Sequence, residues 1–283
     1  MTAAMDLEAE YNNRARVPEH PAILEGWARD AAAYRAARRD SAELDLAYGP
    51  GERERLDLFW PEAAGATRDA PIALFIHGGY WQALDRSWVS HCARGLNARG
   101  VAVAIPSYDL CPAVTVAHIL DQMRAAAAFL HRRHGRRLLA AGHSAGGHLA
   151  AMLMATDWRA LDPALPADLV PAGLPISGLF ELEPLLPTTI ARALRLDAAE
   201  AHALSPRWLP APRSGDTATM LHAVVGGAES TEFIRQTRDF AAAWGGSWEA
   251  LPGANHFTVL APLSDPASAL VARAAAMAAR LAG

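Results

Sequence analysis

The sequence predicts an α/β fold with a mostly parallel central sheet and helices on both of its faces. Four short apolar runs support this prediction, because strands buried on both faces of a parallel sheet have continuous rather than alternating apolar side chains. Stretches with helical character separate these runs, and strands that alternate with helices build a parallel sheet. The four runs are residues 72–76, 101–105, 137–141 and 222–225.

Upstream of these runs, residues 19–39 have apolar side chains at helical spacing and predict an amphipathic helix. We therefore expect residues 1–40 to form a helical segment that packs on the core. Residues 43–48 and 55–60 alternate apolar and polar side chains around a Pro-Gly turn. This pattern is typical of an antiparallel hairpin at a sheet edge.

Downstream of the hairpin, residues 41–283 are expected to form one domain. Further strands are expected near residues 174–177 and 247–251, with a final helix over residues 265–281. Residues 178–215, rich in Pro and Leu, interrupt the pattern; they suggest a small cap or lid, although a plain surface excursion fits equally well. The helices expected between the strands cover residues 87–99, 114–134, 145–156 and 231–244.

Composition restricts the partners that this chain can have. With 283 residues, 52% of them apolar, the chain can bury a large core as one domain. A formal net charge of −4 argues against a nucleic-acid or anionic-membrane partner, since both need a basic surface. No apolar run approaches the ~18 residues of a membrane span, and the acidic N-terminal residues do not resemble a signal peptide. We expect a cytoplasmic protein that acts on a small molecule; the sequence leaves its oligomeric state open.

The residue types present argue against cofactor chemistry. Cys92 and Cys111 are the two cysteines, and their spacing fits neither a disulfide framework nor a zinc site. Lysine is absent, which excludes a Schiff-base lysine, a Walker A phosphate loop and a Ser-Lys dyad. We therefore expect neither a metal nor an organic cofactor.

The G-x-S-x-G motif at residues 142–146 (GHSAG) is the strongest chemical feature of the sequence. It follows an expected strand and opens an expected helix, so that a sharp turn would expose the Ser144 hydroxyl above the strand ends. Gly142 and Gly146 leave room where such a turn crowds the backbone. The motif predicts a nucleophilic serine; a chance turn of small residues is the alternative.

A second glycine-rich loop, with the sequence HGGYW, begins at His77 directly after the first buried strand. Its glycines allow the backbone to approach a substrate closely. We predict an oxyanion hole formed by the backbone N–H groups of Gly79, Tyr80 and Ala145. His77 and Gly78 are expected to support this loop rather than to react.

A general base is expected in a loop near the C-terminus. Of eleven histidines, only His256 follows the last expected strand and precedes the final helix. The carboxylate that orients this base should lie between Ser144 and His256, just past a strand, and Glu229 has that position. Glu229 could instead only favour the start of the next helix, and Asp216 and Asp239 are less well placed. The predicted chain order, Ser144, Glu229 and His256, is that of the α/β-hydrolase fold.

These stretches resemble the kynurenine formamidases (arylformamidases), a branch of the α/β-hydrolase fold. The HGGYW run matches the H-G-G-x-W oxyanion motif of that family, and residues 142–146 look like its nucleophile elbow. Residues 229–236 (ESTEFIRQ) are similar to the segment with the triad acid, residues 255–257 to the histidine loop, and residues 11–14 (YNNR) to an N-terminal stretch. Animal members usually have Asp where this chain has Glu229.

The resemblance implies a serine hydrolase that uses Ser144, His256 and Glu229 as a triad and needs neither metal nor cofactor. It would remove a formyl group from an aryl formamide such as N-formylkynurenine through an acyl-enzyme intermediate. A small-acyl carboxylesterase of broad specificity is the alternative. A non-catalytic binding module on a hydrolase scaffold is a third reading.

The substrate of such an enzyme would carry an aromatic ring, so aromatic side chains are candidates for its pocket. Tyr80, Trp81, Phe180 and Trp208 are these candidates. Ordinary core packing explains Phe180 and Trp208 at least equally well.

Overall fold

The computed structural model describes residues 5–61, 69–212 and 220–281, and within them the chain forms an eight-stranded sheet. In chain order the strands are β1 (Ala42–Ala47), β2 (Arg55–Phe59), β3 (Ile72–Ile76), β4 (Ala102–Pro106), β5 (Leu138–His143), β6 (Ala172–Ile176), β7 (His222–Gly226) and β8 (Ser247–Leu251). Their spatial order is β1-β2-β4-β3-β5-β6-β7-β8. Strand β2 pairs antiparallel with β1 and β4, and the remaining neighbours are parallel. The predicted fold class and the antiparallel edge hairpin are confirmed.

Within residues 5–41, three helices precede the sheet. They are α1 (Leu7–Tyr11), α2 (Asn13–Arg16) and α3 (His20–Ala37). The sequence predicted α3 alone, because the first two are too short for a periodic pattern. N-terminal capping side chains mark where these two helices begin. Asp6 accepts a hydrogen bond from the N–H of Ala9 at 3.1 Å, and Asn12 accepts one from the N–H of Ala15 at 3.2 Å.

The remaining helices connect or follow the strands. They are α4 (Arg94–Ala98), α5 (Val116–His134), α6 (Ala145–Met154), α7 (Trp158–Leu161), α8 (Ala191–Leu194), α9 (Ala198–Ala203), α10 (Thr231–Trp244) and α11 (Ala269–Ala279). Short 3₁₀ turns occupy Arg39–Ser41, Arg86–Trp88, Ser90–Ala93, Glu183–Leu185, Pro206–Trp208 and Thr258–Ser264. Helices α5 and α10 begin after the hydroxyl caps Thr115 and Ser230, and each ends at a glycine with positive φ, Gly135 or Gly245.

Two predicted helices are wrong in part. Residues 87–99 form two 3₁₀ turns before the short α4, because Asp85 and Ser90 side chains bond to the local backbone in place of helical pairing. The final helix begins at Ala269 rather than near residue 265, since the Ser268 hydroxyl accepts from the N–H of Val271 at 3.1 Å and so caps the first turn there.

The core consists of two apolar layers, one on each face of the sheet. Strand β3 shows how one segment serves both: Ile72, Leu74 and Ile76 belong to one layer, and Ala73 and Phe75 to the other. Successive side chains of a strand point to opposite faces, so a strand covered on both sides is apolar throughout. The six parallel strands β3, β4, β5, β6, β7 and β8 therefore all have their carboxyl ends at the same edge of the sheet.

Candidate active site

The turn that the sequence predicts as a nucleophile elbow lies between β5 and α6. Ser144 has φ +56° and ψ −118°, a backbone conformation with positive φ that residues other than glycine rarely adopt. A Cβ added at Gly142 would collide with the carbonyl of Gly146, and one added at Gly146 would collide with the carbonyl of Ile76. Glycine is therefore required on both sides of Ser144, and the turn holds this serine at the strand edge.

His256 and Glu229 meet although 27 residues separate them. The Nδ1 nitrogen of His256 lies 2.6 Å from Oε2 of Glu229. The other carboxylate oxygen accepts hydrogen bonds from the Ser177 hydroxyl at 2.5 Å and from the N–H of Gly226 at 2.7 Å. Because Nδ1 faces the carboxylate, Nε2 is the ring nitrogen that remains for a proton transfer.

Two backbone loops fix this pair. The N–H of Ala228 donates to the carbonyl of Ala254 at 2.9 Å and so ties the glutamate loop to the histidine loop. Within the histidine loop, the Asn255 side chain accepts from the N–H groups of Phe257 and Thr258, both at 2.9 Å. The orientation of His256 thus depends on local turn chemistry as well as on the carboxylate.

The other acidic residues considered for the pair are placed differently. Asp239 accepts hydrogen bonds from Arg235 and Arg238 on α10, its own helix. Asp216 lies outside the described residues. Among the described carboxylates, Glu229 is the one that contacts His256.

The loop after β3 has three consecutive residues with positive φ: Gly79 at +104°, Tyr80 at +52° and Trp81 at +57°. A Cβ at Gly79 would collide with the carbonyl of Ala83, so the tight turn requires glycine. Ala145 is the first residue of α6, where an N–H group has no acceptor within its own helix.

Two further histidines at the site are neutral at ordinary pH. His77 is fully buried, and burial lowers its pKa to about 4. Its Nδ1 donates to the carbonyl of Gly78 at 2.8 Å, and its ring stacks on Tyr108 with centroids 4.2 Å apart. Burial likewise holds the pKa of His143 well below its usual value, and Nε2 of that ring donates to the carbonyl of His256 at 2.7 Å. Both rings brace backbone rather than exchange protons.

A cavity of about 330 Å³ opens in front of Ser144. Ser144, His256, Gly79 and Tyr80 lie on its wall, so the structure brings these predicted residues together. The predicted insert, residues 178–215, contributes Thr189 and Ile190 from its described part. The N-terminal helices contribute more of the wall: Asn12, Asn13, Arg14, Leu24 and Trp27.

Three of the predicted pocket residues do not line this cavity. Trp81 is fully buried beneath it, with its ring edge-on to His148 at 5.1 Å between centroids. Phe180 is equally buried and stacks on Phe240 at 4.1 Å. Trp208 is 48% exposed on the surface, beside Arg207. Their large apolar surface fills the core or lies outside the cavity, so the structure does not bring these three side chains to the wall that Ser144 shares.

Sequence reasoning missed two contributions to the site. Ser177, which bonds to Glu229, follows β6 directly, and its place after a buried strand could have indicated it. The second contribution is from the N-terminal residues Asn13, Arg14 and Trp27, which belong to no motif that would have predicted a place on the cavity wall. The similarity of residues 11–14 to family members was the one available sign.

Comparison with known proteins decides the family. The family model BD-FAE matches residues 56–166. The kynurenine formamidase of Salmo salar is 30% identical over 233 residues, which cover 78% of this chain and 77% of that protein. The chain belongs to the kynurenine formamidase family.

Solved structures agree with the fold of this formamidase family member. A candidate thioesterase from Silicibacter sp. tm1040 superposes with a TM-score of 0.85 at 36% identity, covering 95% of this chain and 98% of that one. Esterase B from Lactobacillus rhamnosis, at 18% identity, superposes with a TM-score of 0.66 over 93% of this chain and 95% of its own. Together with the family assignment, these likenesses show that the chain is a hydrolase of the α/β-hydrolase fold.

Among the described residues, no helix combines the length and apolar character needed to cross a membrane.

Proposed function

We propose that this member of the kynurenine formamidase family hydrolyses aryl formamides such as N-formylkynurenine with Ser144 as nucleophile. One observation carries the proposal: His256 contacts Glu229 at 2.6 Å and shares a cavity wall with Ser144. A histidine that is held by a carboxylate and faces the same cavity as a serine supports a catalytic triad. The formamidase of Salmo salar supports the formamide as the bond that is cleaved.

The reaction begins with a proton transfer. Nε2 of His256 takes the Ser144 hydroxyl proton as Oγ attacks the formyl carbon, and Glu229 stabilises the imidazolium through Nδ1. The carbonyl oxygen becomes an oxyanion. We assign the N–H groups of Gly79, Tyr80 and Ala145 to hold it; such a donor contributes about 3–4 kcal/mol in comparable acyl transfers.

The second half of the reaction restores the enzyme. His256 returns its proton to the aryl nitrogen, so that the amine leaves and a formyl ester remains on Ser144. Water then loses a proton to His256 and attacks this ester, which releases formate and returns the proton to Ser144.

Replacing the nucleophile tests the proposal directly. Ser144→Ala should lower kcat for N-formylkynurenine by about 10⁶-fold, as in other triads that lose their serine. Ser264→Ala is the control, because this serine does not line the cavity and donates to the carbonyl of His91. Unchanged turnover in the Ser144 variant, with circular dichroism that matches wild type, would overturn the nucleophile assignment.

An ester or thioester substrate is the second candidate, favoured by the likeness to the candidate thioesterase at 36% identity. The values of kcat/KM for N-formylkynurenine, p-nitrophenyl acetate, p-nitrophenyl butyrate and a matched acetyl thioester distinguish the two. Formamide turnover at the background rate, with rapid ester or thioester turnover, would replace the formamidase proposal by the esterase one.

A further inference from the structure

The catalytic cavity has an uneven distribution of charge. Arg14 is the one arginine among the described residues on its wall, and no Asp or Glu lies there. The amides of Asn12, Asn13 and Gln82 supply further polar groups without charge. A cavity with an arginine and no carboxylate favours an anionic ligand.

Among the described residues, Arg14 also has no carboxylate partner. Arg16, two residues further on, lies 3.8 Å from a carboxylate oxygen of Glu10. No ion pair joins Arg14 to a carboxylate in the described part of the chain. Glu8, another acidic residue of the N-terminal segment, uses its carboxylate for Thr189: it accepts hydrogen bonds from the N–H and the hydroxyl of that residue, both at 2.8 Å. The guanidinium of Arg14 is therefore available to a ligand.

The backbone around Arg14 is held in a fixed relation to the oxyanion loop. The Tyr80 hydroxyl donates to the carbonyl of Tyr11 at 2.6 Å, and the side-chain amide of Asn13 reaches the same hydroxyl at 3.4 Å. Tyr11 is fully buried, and its own hydroxyl donates to Glu232 at 2.7 Å. These bonds attach the backbone next to Arg14 to the oxyanion loop, as a specificity site requires.

We propose that Arg14 is a specificity-determining residue that binds a carboxylate on the substrate, remote from the acyl group that Ser144 attacks. The inference rests on the proposed function and deepens it. The planar guanidinium can hold a carboxylate with two parallel hydrogen bonds, which a lysine or an amide cannot reproduce. The substrate class is then the aryl formamide or ester with a carboxylate on its leaving group, rather than the neutral small-acyl ester.

Two substrate pairs test this assignment by a ratio of kcat/KM values. The first compares N-formylkynurenine with 2-formamidoacetophenone, which lacks the carboxylate; the second compares 4-acetoxybenzoate with 4-acetoxyacetophenone, which also lacks it. Arg14→Gln should lower kcat/KM for the member with a carboxylate, relative to the member without one, by about tenfold to hundredfold, as expected for loss of a charge-assisted hydrogen bond. Arg14→Lys should retain part of the preference, and Arg16→Gln, the matched control, should leave the ratio unchanged.

An unchanged ratio in Arg14→Gln, including an equal loss on both members of a pair, would overturn the assignment. If wild type hydrolyses no member of either pair, the proposed function fails, and equilibrium binding then tests Arg14 alone. Calorimetric titration should show kynurenine binding wild type at least tenfold more tightly than Arg14→Gln, with 2-aminoacetophenone binding both alike. Equal affinity of kynurenine for the two proteins would exclude the carboxylate site.

Discussion

The strand-end loops and the N-terminal segment, residues 5–37, both face the cavity but are held there by different interactions. Backbone turns set the loops: Ser144 has a positive φ between two glycines that tolerate no Cβ. Side-chain contacts attach the segment instead. Tyr11 bonds to Glu232, and Glu10 accepts from the N–H of Glu232 at 2.9 Å, at the start of α10.

This difference suggests a division of roles. The loops extend from buried strands and allow little movement, which suits groups that must meet with sub-ångström accuracy. The N-terminal segment lies over the loops and carries the polar wall of the cavity, including Arg14. We therefore expect substitutions in the loops to change kcat and substitutions that loosen the segment to change KM.

After the loss of the nucleophile itself, the largest effect is expected from Glu229→Gln. The glutamine keeps the shape and can still accept from Ser177 and Gly226, but it can present an N–H group to Nδ1 of His256. That would favour the tautomer with its proton on Nε2, which cannot accept the proton of Ser144; kcat should fall by about 10⁴-fold. Steady-state kinetics on Asp239→Asn, whose carboxylate faces arginines on α10, provide the control. A Glu229→Gln enzyme that retained a tenth of wild-type kcat would exclude this glutamate from the proposed triad.

An intermediate effect, on stability, is expected from His148 in α6. Its Nε2 donates to the carbonyl of Leu204 at 2.7 Å, and burial lowers its pKa to about 4 from the ordinary 6.5. Because the native pKa lies below the unfolded one, this contribution to the free energy of unfolding is complete above pH about 6.5 and is lost as the pH falls toward 4. Each pH unit in that window costs up to about 1.4 kcal/mol.

Urea unfolding at pH 7, 6 and 5 measures this dependence. His148→Gln should flatten the slope by up to one proton, whereas His118→Gln, with a ring 54% exposed on α5, should leave the slope as in wild type. A slope that stayed the same in His148→Gln would show that this ring titrates alike in both states.

The smallest effect is expected from Tyr80→Phe. Tyr80 lies in a strand-end loop, and its hydroxyl bonds to the N-terminal segment. The change removes the hydroxyl that bonds to the carbonyl of Tyr11 but keeps the backbone N–H assigned to the oxyanion hole. Loss of one neutral hydrogen bond, about 1 kcal/mol, should raise KM about fivefold and leave kcat within about threefold. Tyr48→Phe removes a comparable buried hydroxyl, bonded to Ser107 at 2.5 Å, and should leave KM unchanged. A fall in kcat with constant KM would instead place the Tyr80 hydroxyl in the reaction itself.

Much of the fold was predictable because its features are local. Buried strands gave continuous apolar runs, and the strands β3, β5 and β7 begin within one residue of their predicted starts. The stretch after Asp85 was less predictable, since side-chain bonds to neighbouring backbone favoured 3₁₀ turns over a helix. Trp81 shows the limit for pocket residues: its identity matched a motif, but only packing against His148 reveals that the ring is buried.

The sequence by itself determined the chemistry that this chain can offer. The glycines around Ser144 and in the HGGYW loop meet local requirements of backbone geometry. Such requirements can be recognised in the sequence without knowing which distant residues lie nearby. The tertiary structure decided what surrounds that chemistry: Ser177 on Glu229, Trp81 in the core and Arg14 on the cavity wall. These contacts join residues that are far apart in the chain. Which of them are buried or hydrogen-bonded to each other depends on how the helices pack on the sheet, and no local sequence pattern records that packing.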